Sequence, residues 1–149
     1  MLKRIFPNKE FCIGCHICEL ACITAHSQSK DLILAYTVES KETGLSSCKH
    51  VHEGGPTCVA LSCRHCDEPA CVAACISGAL KKDPESGRTT YDREQCVGCW
   101  SCLMACPFGA IARHPLENKI VKCDLCHDRP GGPACVAACP NMALKQEER

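Results

Sequence analysis

Short apolar stretches alternate with polar loops along this sequence of 149 residues, and no apolar run approaches the length of a membrane span. The pattern predicts short strands at residues 2–6, 88–91 and 120–122. Alanine-rich segments predict short helices at residues 19–25, 72–75, 103–106 and 136–139. Residues 32–38 are the one plausible additional strand, residues 46–56 are predicted to be a loop, and residues 83–87 form a turn.

Cysteines make up a large share of the residues that this pattern can bury. The chain has 18 cysteines, which inflate its 46% hydrophobic fraction, and only 4% of its residues are aromatic. A small domain with so little apolar material usually depends on disulfides or metals for stability. Cysteine chemistry is therefore predicted to hold the fold together.

The organising motif is Cys96-Val-Gly-Cys-Trp-Ser-Cys-Leu-Met-Ala-Cys-Pro107. Three cysteines at two-residue gaps, then a fourth followed by proline, are typical of bacterial [4Fe–4S] proteins. There the first three cysteines ligate one cluster and the fourth ligates a neighbouring cluster. Gly98 suits a tight loop that needs a positive φ.

Sixteen cysteines fall into four groups of four. The groups are Cys12, Cys15, Cys18 and Cys22; Cys63, Cys66, Cys71 and Cys75; Cys96, Cys99, Cys102 and Cys106; and Cys123, Cys126, Cys135 and Cys139. The first and third groups share one spacing, and residues 70–82 match residues 134–146 at nine of thirteen positions. Such self-similarity indicates a duplicated unit with two cysteine groups in each copy.

Iron–sulfur clusters fit these spacings better than zinc or disulfides do. Zinc ribbons pair Cys-x2-Cys motifs across a long spacer, and disulfides belong to secreted chains. The first residues lack the apolar segment of a signal peptide, so a cytoplasmic location is expected. A formal net charge of zero gives no electrostatic case for nucleic-acid binding.

Several residues near the motifs allow two interpretations. Cys48 and Cys58 lie outside the groups and could form a zinc-like site with His50 and His52, although loop thiols without a metal are favoured. The loop histidines, which we expect to be solvated rather than to tune a cluster, are His16, His65 and His127. Trp100 is expected to shield a cluster from water.

No nucleophile–base constellation or nucleotide-binding motif is evident, which favours an electron carrier over an enzyme. Two other classes stay open: a free, diffusing polyferredoxin, and a zinc-bound assembly module.

Three segments carry a resemblance to a known family. They are Cys63-Arg-His-Cys-Asp-Glu-Pro-Ala-Cys71, residues 96–110, and Lys122-Cys-Asp-Leu-Cys-His-Asp-Arg129 with the following Pro133-Ala-Cys-Val-Ala-Ala-Cys-Pro140. The chain resembles the four-cluster, ferredoxin-type electron-transfer subunits of molybdopterin oxidoreductases, formate hydrogenlyase and carbon monoxide dehydrogenase. It departs from them where isoleucine, rather than proline, follows Cys22 and Cys75.

The resemblance implies four [4Fe–4S] clusters with nested pairing of the groups. Its ligand sets would be Cys12, Cys15, Cys18 and Cys139; Cys123, Cys126, Cys135 and Cys22; Cys63, Cys66, Cys71 and Cys106; and Cys96, Cys99, Cys102 and Cys75. The spacings alone equally permit neighbouring groups to pair. The duplication even suggests that they do.

The resemblance also implies an α+β fold of two bacterial-ferredoxin-like modules in pseudo-symmetric arrangement around a cluster-dominated core. One module would contain residues 1–26 and 115–149, the other residues 57–114, with residues 27–56 as a connecting insertion. The chain looks most like the ferredoxin-like partner of carbon monoxide dehydrogenase, which passes electrons to a hydrogenase or an NAD(P)-linked flavoprotein. The equivalent subunit of a formate dehydrogenase, hydrogenase or molybdopterin enzyme is the alternative.

Overall fold

The computed structural model describes residues 2–148, which form short strands and short helices joined by long loops. The strands are β1 (Lys3–Pro7), β2 (His50–Gly54), β3 (Thr57–Leu61), β4 (Leu80–Lys82), β5 (Thr89–Tyr91), β6 (Ile111–Arg113), β7 (Ile120–Lys122) and β8 (Leu144–Glu148). The helices are α1 (Ile17–His26), α2 (Leu32–Leu34), α3 (Ser40–Glu42), α4 (Ala70–Ala73), α5 (Ser101–Ala105) and α6 (Ala134–Ala138). A π-helical turn, Ala35–Glu39, joins α2 to α3. No helix among the described residues has both the length and the apolar character that crossing a membrane requires.

The strands pair into four separate antiparallel ribbons. Strand β1 pairs with β8, so that Ile5 lies opposite Gln146 and the two ends of the chain meet. The other three ribbons, β2–β3, β4–β5 and β6–β7, are each formed by strands adjacent in sequence. Helix α1 packs against α6, and α4 packs against α5. The expected α+β fold with few, short elements is confirmed.

The duplication in the sequence recurs in the backbone. Gly14 and Gly98 occupy matching positions, with φ of 68° and 71°. The residues just before α1 and α5, His16 and Trp100, are both left-handed, with φ of 58° and 64°. Because each left-handed residue turns the chain sharply, both helices begin directly after a cysteine loop. Helices α4 and α6 each follow a proline instead.

Apolar side chains form two small cores that are shared with cysteines. Ile5 and Leu144 lie in the larger core, beside six buried cysteines. Leu80, Ile111 and Ile120 lie in the smaller one, with Cys102. The cysteine sulfurs therefore occupy positions that aliphatic side chains fill in an ordinary domain.

Two sequence-based predictions are wrong. Residues 32–38 are helical rather than a strand, because the Asp31 side chain accepts the Leu34 N–H at 3.0 Å and caps the segment. Residues 46–56 are not all loop, because they include β2, which folds back on β3 through a turn at Gly55. The three predicted strands are confirmed. So are the four predicted helices, each of which begins two residues earlier than expected.

Gly98 offers a test of the loop geometry. A Cβ at Gly98 would lie 2.5 Å from the Asn118 carbonyl oxygen, whereas one at Gly109 (φ 56°) would meet nothing within 4 Å. The loss of stability in Gly109→Ala is therefore expected to come from the strain of the left-handed backbone alone, about 1 kcal/mol. Gly98→Ala is expected to cost at least about 1 kcal/mol more, because backbone must move. Thermal unfolding under anaerobic conditions measures both midpoints. Equal midpoints for the two variants would contradict this loop geometry.

Candidate metal centres

Four cysteines from the two ends of the sequence meet at one cavity. Cys12, Cys15 and Cys18 approach it from the loop before α1 and from its first turn, and Cys139 approaches from the end of α6. Apolar side chains of β3 and β8 close the cavity on the inner side. We refer to these four cysteines as set A.

A second cavity brings together Cys22, Cys123, Cys126 and Cys135, which we refer to as set B. Cys18 of set A and Cys22 of set B are both buried and lie one turn apart on α1. Because side chains at i and i+4 share a helix face, one helix supplies adjacent sets.

Two further sets lie in the segment between β3 and β7. In set C, the Cys71 thiol lies near those of Cys63 and Cys106, and burial followed by these neighbours raises its pKa. Cys66 lies in the same loop as Cys63, and its membership of set C stays a prediction. In set D, the members are Cys75, Cys96, Cys99 and Cys102. Burial, followed by the neighbouring thiols, raises the pKa of Cys102 to about 11.

Each set contains three cysteines of one group and one cysteine of the nested partner group. Sets A and B are neighbours along α1. The larger core contains cysteines of sets A, B and C, while the smaller core contains cysteines of sets C and D. That each set ligates a metal cluster stays a prediction.

Backbone amides point at several of the sulfurs. The His65 N–H donates to Cys63 Sγ and the Leu125 N–H donates to Cys123 Sγ, both at 3.4 Å. In the same way, the Ala110 N–H lies 3.5 Å from Cys106 Sγ, and the Ala143 N–H lies 3.3 Å from Cys139 Sγ. Such donors stabilise a thiolate over a thiol, and they are also one way in which proteins tune iron–sulfur clusters.

The donor sets fit an iron–sulfur cluster. All four members of each set are sulfurs, the soft ligands that iron–sulfur clusters and zinc use. Burial raises the pKa of Cys18 and of Cys123 to about 12, because their thiolates would lie in a poorly solvated interior. Since a coordinated metal removes the thiol proton outright, metal binding offsets this cost.

Set B has charged neighbours that the sequence did not single out. His26 Nδ1 contacts the Cys22 carbonyl at 2.8 Å and His26 Nε2 contacts Asp124 Oδ1 at 3.1 Å, so both ring nitrogens face acceptors. The Asp124 carboxylate, with Cys22, raises the pKa of His26 to about 11. Burial opposes ionisation of Asp124, but the hydrogen bonds from His26 and from the Cys126 N–H, together with the charge of His26, outweigh it and hold the Asp124 pKa below its usual range.

Lysine side chains bind the cysteine loops. Lys82 Nζ donates to the Cys66 carbonyl at 2.6 Å, and Lys119 Nζ donates to the Cys96 carbonyl at the same distance. Lys122 Nζ donates to the Cys123 carbonyl at 3.1 Å. These contacts hold the loops and bring positive charge close to the sulfurs.

The cysteines outside the groups do not form the zinc-like site. Among residues 2–148, the one additional cluster of potential metal ligands is His26, Asp124 and Cys126, which shares Cys126 with set B. Cys48 is instead buried beside set B, where its N–H lies 3.3 Å from Cys22 Sγ. The Cys48 side chain also hydrogen-bonds Cys22 and lowers the pKa of the Cys22 thiol.

The loop histidines differ from one another. His127 is exposed, as expected, and His16 contacts the carboxylates of Glu19 and Glu53. The expectation of a solvated His65 is wrong, because only 1% of it is exposed and its Nδ1 accepts the Thr89 N–H at 3.0 Å. Burial lowers the pKa of His65 to about 3. Trp100 packs on the smaller core, under the Arg113 guanidinium.

Sequence reasoning missed the contribution of the β2–β3 hairpin. Lys49 and Ser62 line the set B cavity, and Val51 and Ala60 line that of set A. The spare cysteine at position 48 is the one signal in the sequence that could have pointed to this contribution.

Comparison with known proteins identifies iron–sulfur relatives. The family model described as a 4Fe-4S dicluster domain matches residues 55–149. The Escherichia coli electron transport protein HydN is 35% identical over 159 residues, which cover 97% of this chain and 87% of HydN. The B subunit of anaerobic dimethyl sulfoxide reductase from E. coli is 34% identical, over 93% of this chain and 70% of that protein.

Other similar proteins are matched over different shares of their own length. The putative oxidoreductase AegA of E. coli is 34% identical over 97% of this chain, but the match spans only 22% of that protein. One subunit of the active site complex BamBC of benzoyl coenzyme A reductase has the same fold, with a TM-score of 0.53 and 24% identity, over 99% of this chain and 76% of that subunit. The matched residues and the extensive similarity to HydN show that this protein belongs to the 4Fe-4S dicluster domain family.

Proposed function

We propose that this chain is the electron-transfer subunit of an oxidoreductase, and that sets A to D each hold one [4Fe–4S] cluster. The observation that carries the proposal is that cysteines far apart in the sequence meet. Cys139 lies with Cys12, Cys15 and Cys18 at one cavity, and Cys22 lies with Cys123, Cys126 and Cys135 at another. The names of HydN and of the dimethyl sulfoxide reductase B subunit support a carrier role without substrate chemistry of its own.

When bound, the clusters supply reversible one-electron storage at potentials that the protein sets. We propose that the four clusters form a row with sets A and D at its ends. Cys15 in set A and Cys99 in set D are exposed, although each of these sets also has a buried member, Cys18 or Cys102. A donor or an acceptor protein can therefore approach at Cys15 or Cys99.

We also propose the two-module organisation. The pairing of β1 with β8 and the packing of α1 on α6 support one module of residues 1–26 and 115–149. The packing of α4 on α5 supports a second module of residues 57–114. Residues 27–56 then form an insertion, and its β2 strand covers the first module. We further propose that this carrier works in the cytoplasm.

Metal analysis tests the cluster content. Protein purified without oxygen is expected to contain about sixteen iron and about sixteen acid-labile sulfide per chain. Its brown colour should bleach with dithionite, because each cluster accepts an electron. Zinc in place of iron, in a colourless folded protein, would refute the electron-transfer function and favour the assembly-module class.

Paired cysteine variants test the nested ligand sets. Cys12→Ala, Cys139→Ala and their double variant are each expected to lose or alter one and the same cluster, because both residues belong to set A. The matched control is Cys12→Ala with Cys106→Ala, which should alter two clusters. Iron content and spin-integrated electron paramagnetic resonance of the reduced protein count the clusters. Pairing of neighbouring groups would instead make the Cys12/Cys139 double variant lose two.

For the catalytic partner, we propose an enzyme of the formate dehydrogenase, hydrogenase or molybdopterin class. The name of the dimethyl sulfoxide reductase B subunit supports a reductase complex of this general kind. The resemblance to the carbon monoxide dehydrogenase partner rests on cysteine motifs that all these subunits share, so it does not favour that enzyme over the others.

Anaerobic affinity purification from the native cell tests the partner. Recovery of a catalytic subunit that contains molybdenum, or of a formate dehydrogenase or hydrogenase, is the expected result. Recovery of a nickel-containing carbon monoxide dehydrogenase would restore the first interpretation. A tagged variant with Met104→Lys, at an 89% exposed position beside set D, tests whether that end contacts the partner.

A further inference from the structure

Lys49 is a fully buried lysine next to the cysteine sets. Only 1% of it is exposed, and its Nζ donates to the buried Ser62 Oγ at 2.7 Å. No carboxylate forms an ion pair with it anywhere in residues 2–148. A buried ammonium is costly unless negative charge compensates it. The compensating charge must therefore come from another source.

The sulfurs of set B can supply that charge as thiolates, the form in which cysteine binds a metal. Lys49 lines the same cavity as Cys22, Cys123, Cys126 and Cys135. The residue before it, Cys48, donates its N–H to Cys22 Sγ, which anchors the backbone of Lys49 against the set. His26, which hydrogen-bonds Asp124, also borders this cavity.

We propose that Lys49 is the buried counter-charge of set B, and that it raises the reduction potential of the cluster bound there. This inference rests on the proposed function, because it requires a cluster in set B. One-electron reduction adds one negative charge to a site and breaks no covalent bond. A fixed positive charge in a poorly solvated cavity therefore stabilises the reduced state more than the oxidised one.

A matched set of variants separates charge from packing. Lys49→Met removes the charge and nearly keeps the length, Lys49→Gln removes the charge and keeps a donor for Ser62, and Lys49→Arg keeps the charge. Lys41→Met makes the same change in net charge at an exposed position on α3. All are prepared anaerobically as the full chain. Their midpoint potentials are then measured by redox titration with electron paramagnetic resonance detection.

Both neutral variants are expected to shift the reduction equilibrium of one of the four clusters at least tenfold toward the oxidised state. This corresponds to about 59 mV for one electron. Lys49→Arg and Lys41→Met should leave all potentials close to those of the original protein. Unchanged potentials in Lys49→Met and Lys49→Gln, with iron content retained, would overturn the proposal.

Cluster loss would also be informative. Loss of one cluster in both neutral variants, but not in Lys49→Arg, would support the counter-charge, because retention would then depend on the charge. Loss in all three Lys49 variants would overturn it and assign Lys49 a packing role. If the unmodified protein contains no iron, the proposed function itself is refuted. The iron analysis shows this before any redox titration is made.

Discussion

A buried thiol keeps its proton unless positive charge lies close to it, and this constraint governs the whole structure. Cys18, Cys102 and Cys123 lie at positions where burial raises the thiol pKa to between about 11 and 12. A chain with so few large apolar side chains has little else with which to fill its centre. Coordination by a metal cluster resolves both difficulties, because it deprotonates the sulfurs and fills the space between them.

The protein's own residues also place positive charges and the partial positive charges of N–H groups near the cysteines. Backbone amides point at Cys63, Cys106, Cys123 and Cys139, and lysines donate to the carbonyls of the loops that carry the sets. The formal net charge of zero hides this arrangement. Lys49 and Lys122 illustrate it, since their ammonium groups point inward, toward the cysteine loops, rather than into solvent.

Much of this was predictable from spacing alone. The cysteine groups and the duplication indicated short elements leading into cysteine loops, and β1, β5, β7 and the short helices are where periodicity and alanine content predicted them. The strand predicted at residues 32–38 is wrong because the apolar residues there are largely exposed. The usual link between an apolar pattern and burial does not hold in this segment. The buried environments of Lys49 and His65 depend on contacts between segments distant in sequence, which no local pattern encodes.

The meeting of the first and last strands bears on how the protein matures. Set A needs Cys139 and set B needs Cys123, Cys126 and Cys135, whereas sets C and D are complete once Cys106 has been synthesised. During translation, the amino-terminal cysteines must therefore wait, as free thiols, for the rest of the polypeptide to leave the ribosome. Closing so long a loop is slow compared with forming the β4–β5 and β6–β7 hairpins. Until β8 reaches β1, the amino-terminal cysteines have no complete set to join.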